Sequence, residues 1–327
     1  MTERKELVFE NLVKYAIKFV VVALCAFVIY EQFKHFNDSV AQRNLLLQSV
    51  KQNGWILLIV VALMPLNWLI ETKKWQLLLA AESPQPFSKL LKAVLQGVMV
   101  GTVTPWRMGE FVGRTFEMKR SEAVNGFYFS MLGGMAQAFI TAIFGLFFLP
   151  WFYPSPLLIG FAVVVCGILL CAYFFFHRLP LQLIPFVKNK VAHIKPSSNA
   201  RLGMVLLLSL CRYLIYLSQW TLVAYTFSVH NNLLLLAAGA AVTLLLQSVS
   251  PALPFFDLAV RSGISLFVFS NICSNPMAIL LSVLVVWLIN IAIPSIGGIA
   301  FFLRGWKMKK STSVFASQAN VEHFNSK

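Results

Sequence analysis

Six stretches of this chain are apolar for about 20 residues, the length that carries a helix through the hydrocarbon core of a bilayer. They fall near 12–30, 54–71, 127–149, 156–177, 203–228 and 277–303. The polar stretches between them, the longest at 71–92 and 178–202, are loop-sized. Only 12% of the residues are charged, against about 25% in a soluble domain. The pattern predicts an all-α polytopic membrane protein with a single integral domain over 1–310 and a polar, disordered tail over 311–327. Lys14 and Lys18 interrupt the first apolar stretch, and no small-residue cleavage site follows it, so it reads as an uncleaved helix rather than a signal peptide.

Two further segments are apolar but broken. Residues 88–104 end at Thr104-Pro105, and residues 233–249 end at Ser250-Pro251. Proline removes a backbone donor and breaks a helix. Broken backbone at membrane depth persists only inside protein or beside a water-filled cavity. Residues 88–120 and 233–271 are therefore expected to form two re-entrant helical hairpins.

The net charge of +15 is not a nucleic-acid signal here, because the basic residues concentrate in alternate loops. Region 72–126 holds eight of them and loop 178–202 five, whereas loop 150–155 has none and region 229–276 only Arg261. This predicts a multi-pass protein of the cell (inner) membrane with both termini cytoplasmic. Three spans separate the hairpins, so they enter from opposite sides, as in an inverted repeat. Inverted repeats place a substrate site near the midplane, where the broken segments meet.

The hairpins carry a repeated constellation. Thr104-Pro105 leads to Glu110 and Arg114; Ser250-Pro251 leads to Asp257 and Arg261. Each carboxylate precedes its arginine by four positions, so the two share a helix face. An internal ion pair that lowers the cost of burying two charges is one role. A guanidinium site for an anionic group is the other, with the carboxylate orienting the fork and competing with the ligand. A hydroxyl followed by proline also resembles a helix start, whose positive dipole end would face an anion.

Arg107 either joins this site or reaches the cytoplasmic interface. Arg212, inside a span, is expected to face the bundle interior or an interface. Gln96, Gln137, Gln219, Gln247 and Asn290 read as interhelical hydrogen-bond partners, with Gln96 and Gln247 also placed to line a cavity. Glu71, before Lys73 and Lys74, reads as an interfacial salt bridge. Gly133-Gly134 and Gly297-Gly298 permit close helix packing. Cysteines 25, 166, 171, 211 and 273 form no CxxC, and the histidines have no metal-ligand spacing; no metal or cofactor is expected. Hydrolase, metalloprotease and nucleotide-binding signatures are missing, so no enzyme is expected.

At these residues the chain resembles the flippase-like transmembrane domain of lysylphosphatidylglycerol synthases over roughly 54–303. The family's first motif is similar to Pro-x-Arg-x-Gly-Glu followed by Arg, matched by Pro105, Arg107, Gly109, Glu110 and Arg114. The second resembles Pro…Gly-Val-Arg-Glu, matched by Pro251, Val260 and Arg261; Ala259 stands for the glycine and Ser262 for the glutamate, with Asp257 in place of the lost carboxylate. The resemblance implies movement of a lipid between leaflets, without the soluble aminoacyl-transferase domain. The expected partner is a membrane lipid with an anionic head group, and a homo-oligomer is open. Two other functions stay open: a secondary transporter of a small anionic solute, and an accessory subunit acting on a lipid-linked intermediate.

Overall fold

The computed structural model describes residues 40–119, 122–176, 198–250 and 256–304, and within them every regular element is helical. After α1 (Val40–Asn53) comes α2 (Ile56–Leu79), then α3 (Phe87–Thr102). A broken return arm follows: a 3-10 turn (Pro105–Arg107), the short α4 (Gly109–Gly113) and a second 3-10 turn (Arg114–Glu117). Next are α5 (Ala123–Phe152), α6 (Pro156–Phe176), α7 (Asn199–Thr226), α8 (Leu233–Val249) and α9 (Asp257–Phe269). The last described helix is α10 (Pro276–Arg304), with a π-turn at Leu288–Ala292.

Helices α2, α5, α7 and α10 are each long and apolar enough to cross a membrane. They occupy four of the expected spans. The apolar α6 fills the place of 156–177 with 21 residues. The span expected near 12–30 and the tail over 311–327 lie outside the described residues. Large apolar side chains remain exposed, including Leu58, Phe147, Leu157 and Ile296, with Leu157 86% exposed. Such a surface is costly against water and unremarkable against lipid tails. The protein is a multi-pass membrane protein.

Helix α2 runs past its expected end. The charges at 71–74 close the apolar run in sequence, yet the helix continues to Leu79. Glu71 and Lys74 lie on its inner face and pair with each other, so the helix keeps its apolar surroundings while carrying charge inward. The loop expected from 71 therefore starts only after Leu79.

The two broken segments are helical hairpins. Helix α3 has 16 residues, α8 has 17 and α9 has 13. At about 1.5 Å per residue none reaches the roughly 30 Å of a bilayer core. In the first hairpin the arms nearly touch. A side chain at Gly113 would place its Cβ 2.8 Å from both the Gln96 carbonyl oxygen and the Gly97 Cα. In the second, α8 packs between α5 and α7, and α9 packs along α10. Buried residues of α2, α3, α5, α6 and α7 form one core, and those of α2, α5 and α7–α10 a second.

The sequence reading of the paired glycines holds at Gly133-Gly134 and at Gly298. Gly133 faces Leu78 and Lys74, Gly134 faces Phe111, and Gly298 lies against the Leu95 carbonyl of α3.

Candidate functional site

Both hairpins and the long helices close around one cavity of about 560 Å³, within the usual range of roughly 300–1,000 Å³ for ligand sites. Arg107, Glu110 and Arg114 line it from the first hairpin; Gln247, Ser250, Asp257 and Arg261 line it from the second. The repeated constellation thus converges on a single space, although its two copies lie far apart in sequence.

On the first side, Arg114 is 2% exposed and divides its fork between two acids. Its Nη2 donates to Glu110 at 2.6 Å and its Nη1 approaches Glu71 at 2.9 Å. Glu110 also meets Arg107 at 3.5 Å. Glu71 is the hub. Besides Arg114 it holds Lys74 at 2.6 Å and the Arg212 Nη1 at 3.0 Å. Arg212 donates from Nε to the Asn67 Oδ1 at 2.8 Å, and Asn67 in turn donates to Asn290 at 3.3 Å. Arg114 and Arg212 sit over the rings of Trp75 and Trp68, at 5.8 and 5.1 Å from the ring centroids. Burying this many charges is tolerated because each cation faces a carboxylate or an aromatic ring at close range.

On the second side, Arg261 donates from Nε to Asp257 at 2.9 Å and from Nη1 to Gln247 at 2.8 Å. The Trp287 indole donates to the same Asp257 oxygen at 3.1 Å. Asp257 thereby orients the arginine from within the helix, while Ser262 carries no charge to compete.

Local backbone explains how the first motif reaches the cavity. Thr104 is extended and Pro105 begins the following turn, as expected of a hydroxyl–proline helix start. The Thr104 hydroxyl accepts from Gly109 N at 2.8 Å, further along than an ordinary cap, and so ties the turn to α4. Arg107 takes a left-handed conformation, φ 56°, which costs a non-glycine residue about 1–2 kcal/mol. The surrounding turn holds it there with its guanidinium toward Glu110. Arg107→Gly is expected to melt above Arg107→Ala, because both lose the charge but only glycine relieves the backbone; a thermal-shift comparison in detergent checks this.

At the second motif, Ser250 is extended and ends α8. The next described helix starts at Asp257, and the helix start expected at Ser250-Pro251 would fall between the two. Pro251 itself lies outside the described residues.

Gln96 is not among the residues lining the cavity. It joins the two arms of the first hairpin by donating to Glu117 at 2.8 Å. Gln219 donates to the Val60 carbonyl at 2.8 Å, linking α7 to α2 as an interhelical partner should. Gln137, expected to act similarly, instead lines the cavity with its buried Oε1 unpartnered. The reading of Glu71 as an interfacial pair is corrected. Its partners include two distant arginines as well as Lys74, and it is buried in the site. The signal for it was an acid and a base three apart at the end of a span, which on a continuing helix share one face. Arg212 does face the bundle interior, as expected.

A family model described as "Lysylphosphatidylglycerol synthase TM region" matches residues 15–298. The match begins upstream of the stretch whose motifs carry the resemblance. No curated protein and no solved structure matches the chain.

Proposed function

The chain belongs to the lysylphosphatidylglycerol synthase transmembrane-region family, and on that premise we propose that it carries an anionic lipid between the leaflets of the cell membrane. Membership gives a lipid-related function in the membrane. The finer reading rests on one observation: Arg114 and Arg261, from the two hairpins, line the same cavity. Each guanidinium is held by a carboxylate four residues earlier on its own arm. A head group entering between helices exchanges these internal anions for its own phosphate oxygens, while its tails stay in lipid. Arginine suits the exchange because its fork grips phosphate at two points.

The order of elements favours two related halves. A long helix, a hairpin and a second long helix occur as α2, α3 with its return arm, and α5, and again as α7, α8 with α9, and α10. With the charge alternation of the loops, this makes the hairpins re-entrant from opposite sides, with both termini cytoplasmic. The protein is then a carrier rather than an enzyme, and the lipid is moved unchanged.

The test keeps the bundle intact by replacing a pair with its neutral likeness. Asp257→Asn/Arg261→Gln removes one guanidinium without leaving a lone buried charge. Lipids co-purifying with wild type and variant are compared by mass spectrometry, beside leaflet transfer in proteoliposomes. The expected result is enrichment of one anionic lipid class that falls at least about tenfold in the variant, the equivalent of a single charged hydrogen bond. Identical lipid profiles and equal transfer would sink the head-group role.

A further inference from the structure

The cavity has a charge imbalance and a set of unused polar atoms. Among the described lining residues, Lys74, Arg107, Arg114, Arg212 and Arg261 face only Glu71, Glu110 and Asp257, an excess of two positive charges. Four of the five cations belong to the side built around Glu71. Arg261 is matched one to one by Asp257. The excess therefore sits at one pole.

Beside it runs a polar wall. Helix α5 is apolar over most of its length, yet Ser130, Gly134, Gln137 and Thr141 recur at helical spacing and line the cavity. Ser130 and Tyr213, opposite on α7, are each 1% exposed. The Ser130 and Tyr213 hydroxyls, the Gln137 carbonyl oxygen, the Gln247 amide nitrogen and the Arg114 Nε are all buried without a protein partner. Buried polar atoms are nearly always satisfied. These donors and acceptors in one cavity fit a ligand that offers both, which a hydroxyl does and a hydrocarbon or a bare phosphate does not.

We infer that the cavity takes a head group with two negative charges on its phosphoryl portion and a hydroxyl-rich polyol or sugar beside it, and that it excludes aminoacylated lipid. The phosphoryl portion lies against Lys74, Arg114 and Arg212, with Arg261 holding the head group from the other side of the cavity. The hydroxyls lie along Ser130, Gln137 and Tyr213. A lysylated phosphatidylglycerol brings a net positive charge into a pole already in excess, and the three lining carboxylates are engaged with cations. This selectivity rests on the lipid-carrier function proposed above and narrows its substrate.

Native mass spectrometry of the detergent-solubilised full chain tests it with five lipids. They are phosphatidylcholine, lysylphosphatidylglycerol, phosphatidic acid, the phosphomonoester phosphatidylinositol phosphate, whose ring keeps free hydroxyls, and a polyprenyl diphosphate bearing one hexose. One of the last two is expected to bind at least about tenfold tighter than phosphatidic acid, which has the charge without the hydroxyls; which one it is identifies the source of the shared chemistry. Ser130→Ala/Gln137→Leu is expected to lower that affinity about tenfold and to leave phosphatidic acid unchanged. Lysylphosphatidylglycerol binding as well as either favoured lipid overturns the inference, as does an equal loss for all lipids in the double variant. Failure to prefer any anionic lipid over phosphatidylcholine would instead sink the carrier function itself.

Discussion

Arg114→Ala is expected to cost about 3 kcal/mol of stability, because it strips the half-buried Glu110 of its closest cation. Glu110 would keep only Arg107, at 3.5 Å. Glu71 would fare better, retaining Lys74 and Arg212. The loss should therefore trace mainly to Glu110, and Arg114→Ala/Glu110→Gln should recover most of the melting temperature. Lipid transfer should not recover, since the guanidinium is still missing. Thermal shift and leaflet transfer measured on both variants separate the two effects. If the double variant melts as low as the single one, Arg114 supports the bundle through packing on Trp75 rather than through charge. If it transfers lipid normally, Arg114 has no part in holding the head group.

Gly113→Val should be nearly as damaging for an unrelated reason. The new Cβ alone would stand 2.8 Å from the Gln96 oxygen and the Gly97 Cα, both backbone atoms that no rotamer change can move. Overpacking of this kind costs about 1–3 kcal/mol, and the valine methyl groups push the value toward the top. The hairpin arms must part, and the contact between Gln96 and Glu117 goes with them. Gly203→Ala is the control. Its Cβ meets nothing within 4 Å, and alanine is a better helix former by about 1 kcal/mol. A Gly113 variant that melts with the wild type would show that the arms are not closely packed.

Much of the fold was legible because apolar length is a strong signal. The four long helices stand where the runs of apolar residues put them, and α3 and α8 end where the two broken segments were expected to end. Hydropathy failed where charge continued a helix: Glu71 and Lys74 ended the run in sequence while α2 went on to Leu79. A scale that counts charge as exposure has no means of seeing a pair turned inward. For the site, repetition singled out Glu110–Arg114 and Asp257–Arg261, and each forms an ion pair within its own arm. Glu71, Asn67, Ser130 and Tyr213 have no repeated pattern, and only the packing of α2, α5 and α7 brings them to the cavity. Asn290 is a related case. It lies in the π-turn of α10, an irregularity that often accompanies functional sites, and its link to Asn67 depends on how two distant helices meet.

The carboxylates inside the cavity bear on what happens after delivery. A carrier that has released its cargo must return empty, and a cleft of bare guanidinium groups would have to cross the membrane interior without counterions. In the carrier proposed above, Glu71, Glu110 and Asp257 would give the unloaded form its own anions and spare it most of that electrostatic barrier. The cargo of such a carrier would be freed from travelling in both directions, so that net movement down a gradient would be available as well as one-for-one swapping. Neutralising all three acids would hold the cargo more tightly and leave a protein that only swaps.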